Sequence, residues 1–260
     1  MRAFPGALLA TPGSGPGLPA SRIAVPFWNG ILSALGATAI SVLATIVAMV
    51  VLLFAVVLAT GKMPSLNPGH PLVAASELIF YAGGGCFAAW RLRRIGRWPF
   101  RPFTAGDVRT ILIGLGFLIL VRIGTAVQLA LTDQTKHVQK GFEHFDVVTT
   151  QPTLTTIAVA IAVVTMVFLG PVVEEIVFRG LLFGALARPI GIVPSALVSS
   201  LLFAAIHGEA VLFPSLAALG LVAAFSYAAT GNLWVPIVLH AANNALGAAF
   251  LIGGALHHAR

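Results

Sequence analysis

Long, nearly unbroken apolar runs dominate this chain, and the short amphipathic periods of a water-soluble fold are missing. Residues 31–60, 72–90, 110–131, 154–187, 193–207, 214–230 and 233–254 consist mostly of Ala, Val, Leu, Ile, Phe and Gly. A helix needs ~20 apolar residues to cross a bilayer, so these runs predict transmembrane spans. Residues 31–60 exceed that length, which implies tilt or a protruding end. The run 154–187 is interrupted by Gly170-Pro171, and a proline there removes one backbone donor and bends a helix. The expected fold is therefore all-α, a polytopic transmembrane helical bundle of seven spans, or eight if the Gly-Pro pair separates two helices.

Between the runs lie segments of different character. Residues 1–25 are rich in Pro, Gly, Ala and Ser and carry only Arg2 and Arg22 as charges, which predicts a disordered cytoplasmic tail. The run Ala7 to Ala10 is too short for the apolar core of a signal peptide. Residues 26–132 then form an amino-terminal group of transmembrane helices, 133–152 a polar loop, and 153–254 a second helical group. His137 and His144 in that loop lack a metal-ligand spacing and read as solvated residues. Arg91, Arg93, Arg94, Arg97 and Arg101, interleaved with Trp98, form a basic and aromatic belt that places its loop, and with it the amino terminus, in the cytoplasm.

Composition narrows the class further. The chain is 58% apolar and 9% charged, with a mean hydropathy of +0.98, which excludes a soluble globular domain. Its formal charge of +7 sits between apolar runs and not on one face, so membrane lipids are the expected partners and nucleic acid is not. Cys86 is the only cysteine; it can form no internal disulfide and reads as a small helix-packing residue.

Against this background the charged sequence Glu174-Glu175-Ile176-Val177-Phe178-Arg179 stands out, because ionisable groups at membrane depth cost roughly 2.5–3.5 kcal/mol each to insert. Glu175 and Arg179 are four apart, the favourable order for an intrahelical ion pair. Glu174 points about 100° away around the helix. Arg179 can thus neutralise Glu175 and leave Glu174 free to take a proton from water. Phe203 and His207 share a helix face, as do His240 and Asn244, with Asn243 close to that stripe. Histidine can hold or exchange a proton, and an amide can donate to a developing oxyanion. Arg122, inside the third run, should face protein or a water-filled cavity and not lipid.

Depth is consistent with one site. Counting from the nearest cytoplasmic ends, Glu174 and His207 lie ~20 Å deep and His240 ~12 Å at 1.5 Å per residue, so the three could meet in one slab of the membrane.

Three motifs in order, Glu174-Glu175 with Arg179, Phe203 with His207, and His240 with Asn244, resemble the CPBP intramembrane protease family, also called the Abi or CAAX protease family. That family includes the type II CAAX prenyl endopeptidases. The resemblance covers about residues 170–247 and implies a catalytic helical core over 153–254. It implies that Glu174 and His207 hold and activate a hydrolytic water and that His240 and Asn244 stabilise the oxyanion. Glu175, Arg179, Phe203 and Asn243 would support them. The implied activity is that of an intramembrane endopeptidase of CAAX-type or bacteriocin-related processing. Its substrate would be a peptide or protein, lipidated or not, in a bacterial plasma membrane.

Two other readings use the same residues. Glu174, His207 and His240 could hold a zinc ion bearing the hydrolytic water, although the HExxH spacing is absent and Asn is a poor zinc ligand; the metal-free reaction, with no cofactor, is preferred. A proton-coupled carrier or a non-catalytic membrane scaffold would use the Glu-His cluster to move protons or to lock helices.

Overall fold

The computed structural model describes residues 20–64, 71–134 and 160–258, and among these every regular element is helical. The helices are α1 (Phe27–Thr60), α2 (Pro71–Arg94), α3 (Ala105–Leu131), α4 (Ala160–Ile190), α5 (Ile192–Ile206), α6 (Phe213–Thr230) and α7 (Trp234–His258). Five of them, α1 to α4 and α6, are long and apolar enough to cross a membrane. The chain is a multi-pass membrane protein.

Two sequence expectations change here. The apolar run 193–207 reads as a span, but α5 has 15 residues, ~22 Å at 1.5 Å per residue, which is less than the ~30 Å hydrocarbon core. The tail expected over 1–25 also ends earlier. Ala20–Arg22 form a 3-10 turn, and Ile23, Ala24 and Val25 are buried. The Val25 N–H donates to the carbonyl of Gly184 at 3.0 Å, and Ile23 and Val25 pack there because Gly184 has no side chain to exclude them. Residues 1–19 and most of the expected polar loop 133–152, from 135 onward, lie outside the described residues.

The Gly170-Pro171 interruption does not end a helix. α4 runs through it by widening to π-helical turns at Thr165–Leu169 and again at Ile176–Phe183. π-turns of this kind relieve the backbone where a proline cannot donate.

Small residues set the seams. α1 lays Ser33, Ala34, Ala37 and Ser41 against α2, where a Cβ on Gly84 would overlap the Ser41 hydroxyl. At Gly30 a Cβ would meet the Leu181 carbonyl of α4 at 2.7 Å. Without a water-driven hydrophobic force between helices in lipid, such close backbone approach is what holds them.

One end of the bundle is tied by polar contacts. Thr104 and Asp107 form a reciprocal cap on α3, and Arg101 clasps Asp107 with both guanidinium nitrogens at 2.7 and 2.9 Å. Arg101 also donates to the Thr230 carbonyl at 3.0 Å, joining the start of α3 to the end of α6. Gly231, at φ 65, supplies the left-handed turn that stops α6.

Candidate active site

The site begins with two adjacent carboxylates on α4 that face different partners. Glu175 is fully buried, and its Oε1 accepts from Arg179 Nη1 at 3.0 Å and from His240 Nδ1 at 2.9 Å. Arg179, equally buried, also donates from Nη2 to the Gly220 carbonyl of α6 at 3.1 Å. Gly220 also lets α6 press against α5, where a Cβ would meet Ser200 Cβ at 2.8 Å. Removing either member of such a buried ion pair leaves a charge uncompensated, a cost of about 3–5 kcal/mol.

Glu174 has no arginine. Its Oε1 accepts from the Tyr81 hydroxyl of α2 at 2.8 Å, and its Oε2 lies 3.7 Å from His240 Nε2. That separation is too long for a direct hydrogen bond, so the Oε2 oxygen is left without a close partner. Glu174 is 14% exposed, whereas Glu175 has no accessible surface. His240 stands between the two acids: Nδ1–H is committed to Glu175, a carboxylate that can only accept, and Nε2 faces Glu174.

Phe203 of α5 organises the imidazoles. Its ring is fully buried, meets His240 edge-on at 5.5 Å between centroids, and lies 4.6 Å from the His207 ring. The Arg179 guanidinium sits 4.7 Å from the same ring centroid. His207, exposed at the carboxyl end of α5, donates from Nδ1 to the Phe203 carbonyl at 2.7 Å, which leaves Nε2 as its acceptor. Phe178, Leu118 and Leu239 close the apolar floor.

The two asparagines are placed differently. Asn244 Nδ2 donates to the Met166 carbonyl of α4 at 2.9 Å, and its Oδ1 accepts from Asn243 Nδ2 at 3.2 Å. The Met166 carbonyl needs that donor: Gly170 N–H bonds back to Thr165 in the π-turn, so the next carbonyl in the ladder faces Pro171, which has no N–H. Arg122 of α3, expected to avoid lipid, donates to the Asn243 carbonyl at 2.6 Å.

Of the residues singled out in the sequence, Glu174, Glu175, Arg179, Phe203 and His240 thus form one contact network. His207 joins it through Phe203. Asn244 turns towards α4, and the Asn243 side chain bonds Asn244 while its backbone carbonyl takes Arg122 of α3. Tyr81 is the participant that sequence reading missed. Among the described residues no three His, Cys, Asp or Glu side chains are grouped to hold a metal ion, those of Glu174, His207 and His240 included.

Fold and site together define a helical membrane protein with an acid and imidazole cluster among its helices. The resemblance read from the three motifs is shown over that region: residues 156–246 match the family described as Type II CAAX prenyl endopeptidase Rce1-like. The chain is 36% identical over 83 residues to YdiL of Bacillus subtilis (strain 168), a protein provisionally named as a membrane peptidase; the match covers 32% of this chain and 34% of YdiL. It is 34% identical over 82 residues to the membrane-embedded CAAX protease MroQ of Staphylococcus aureus (strain USA300), across 29% of this chain and 33% of MroQ. The similarity therefore spans about a third of the length of these relatives. No solved structure matches the chain significantly.

Proposed function

We propose that this protein is an intramembrane endopeptidase in which Glu174 activates water. The observation that carries the reading is the unequal treatment of the two glutamates. Arg179 and His240 are committed to Glu175, while Glu174 keeps one oxygen on Tyr81 and turns the other towards His240 Nε2 at 3.7 Å. The similarity to named membrane peptidases supports the same class.

In this mechanism a water held by Glu174 and His207 attacks the scissile carbonyl carbon, and Glu174 takes the water's proton. The carbonyl oxygen becomes the oxyanion, which the second N–H of Asn244 stabilises together with His240 in its imidazolium form, whose Nδ1–H stays on Glu175 while its Nε2–H donates. The tetrahedral intermediate then collapses, the C–N bond breaks, and Glu174 returns its proton to the leaving amine. No covalent enzyme intermediate forms. The reaction proposed runs on side chains alone, with no cofactor.

The substrate class proposed is a peptide or protein carboxyl-terminal segment reached from the cytoplasmic half of a bacterial plasma membrane. That side rests on the basic belt from Arg91 to Arg101. A CAAX-type segment, lipidated or not, is the first candidate, because the matched family and MroQ are named for CAAX cleavage.

Glu174→Gln tests the assignment. It keeps the side chain's shape and its contact with Tyr81 but removes the base. The variant should match the native chain in thermal unfolding and lose cleavage at least about a hundredfold. Membrane peptides from cells carrying each form, compared by mass spectrometry, provide the readout. The same cleavage products from the Glu174→Gln variant as from the native chain would overturn the proposal.

A further inference from the structure

A second constellation lies at the polar end of the bundle, away from the glutamates. The turn Ala20–Arg22, the segment after α2, Gly180 of α4 and the end of α6 enclose a cavity of about 230 Å³, and no carboxylate lines it. Arg22 and Arg97 both line this cavity, and neither has an ion-pair partner among the described residues. Arg101, in the same loop, is by contrast already neutralised by Asp107.

Tyr227 is the second observation. It lines the same cavity, is 3% exposed, and its hydroxyl has no hydrogen-bond partner among the described residues. Its ring is held edge-on by Phe183 at 6.4 Å, and its hydroxyl lies within electrostatic reach of Arg97. A phenol on so deeply buried a residue normally finds a partner, so one left open at the cavity beside two unpaired guanidinium groups marks a place for an acceptor.

The acceptor's chemistry follows from the donors and from the level of the site. Two guanidinium forks and a phenol O–H suit a tetrahedral oxyanion with several acceptor oxygens. The carboxyl ends of α2 and α6 and the amino ends of α3 and α7 meet here, so the cavity lies where spanning helices leave the membrane. Trp98, with Arg93 stacked 4.1 Å from its ring centroid, is on the rim as an interfacial aromatic. At that level the abundant oxyanion is a lipid phosphate. Ile23 and Leu92 offer apolar wall for the glycerol end.

We propose that this cavity binds the phosphate group of an anionic phospholipid through Arg22, Arg97 and the Tyr227 hydroxyl. A lipid held there would fasten the amino-terminal turn and the α2–α3 segment to α4 and α6, the helices that position Glu174 and Gly220. This site is independent of the proteolytic assignment.

The test uses the full chain in detergent micelles, titrated with phosphatidylglycerol, with phosphatidylcholine, and with inorganic phosphate. Native mass spectrometry counts bound lipid, and thermal unfolding reports its effect. Phosphatidylglycerol should be retained and should raise Tm more than phosphatidylcholine does. Tyr227→Phe keeps the ring against Phe183, so it should unfold like the native chain in phosphatidylcholine while binding phosphatidylglycerol about tenfold more weakly. Arg97→Gln should weaken binding in the same direction, and Lys62→Gln, at the far end of α1, should not. Equal stabilisation by the two lipids, or native affinity in both cavity variants, would overturn the proposal. A full Tm shift from inorganic phosphate alone, with nothing added by phosphatidylglycerol, would overturn the lipid and assign the site to free phosphate.

Discussion

Glu174 and Glu175 are the same residue type at neighbouring positions, and the helix turns them into different chemical objects. The i, i+4 offset to Arg179 marks Glu175 as the paired acid, which is legible in the sequence and holds at 3.0 Å. What the offset cannot tell is that His240 also binds Glu175, or that Glu174 takes a hydroxyl from α2. Tyr81 is 93 positions away from Glu174, and no local spacing points to it. The one available signal is the i, i+4 pair of Glu77 and Tyr81 in an otherwise apolar run. Tyr81 holds the carboxylate so that its free oxygen faces His240, and Tyr81→Phe should therefore loosen the base without touching the substrate. A hydrogen bond to a charged group is worth about 1.5–3 kcal/mol, which corresponds to a loss of about ten- to a hundredfold in kcat. KM should change little, and Tm should fall by no more than one lost hydrogen bond allows. A quenched fluorescent peptide with a farnesylated CAAX terminus separates the two constants, and a change confined to KM would show that Tyr81 contacts substrate instead.

Among the elements, α4 departs most from its sequence pattern. Gly170-Pro171 reads as a possible break, yet the helix continues because its backbone widens on both sides and a side chain from α7 fills the gap in the ladder. Asn244 is thus a structural partner of Pro171 as well as a candidate oxyanion donor. Asn244→Ala should strip the Met166 carbonyl of its donor and cost about 1–3 kcal/mol of stability. In a Pro171→Ala background residue 171 regains an N–H, and the same Asn244 change should cost less. Denaturant unfolding of the four chains gives this coupling, and simple additivity would show that Asn244 does not stand in for the missing N–H of Pro171. α5 departs in length. An apolar run beginning at residue 193 looks like a span, but the helix ends at Ile206, and Gly208 turns the chain at φ 68.

For the whole molecule, the apolar runs and the basic belt are enough to indicate a helical membrane protein, because nothing else tolerates so little charge over this length. The reaction proposed for it uses only side chains, and a whole-protein measurement checks that. After exhaustive chelation the purified chain should retain its cleavage rate, and added zinc should not raise it; recovery of a lost activity by zinc would move the reaction to a metal centre.

The sequence by itself determined the class, the helical segments and the shortlist of polar residues, since burying each one in lipid is too costly to be incidental. Tertiary structure alone decided which of those residues meet. Glu174, Tyr81, His240 and Phe203 lie on four helices, and their grouping depends on how closely glycines and alanines let those helices approach. Such packing distances are set between segments distant in the chain, where residue spacing carries no information.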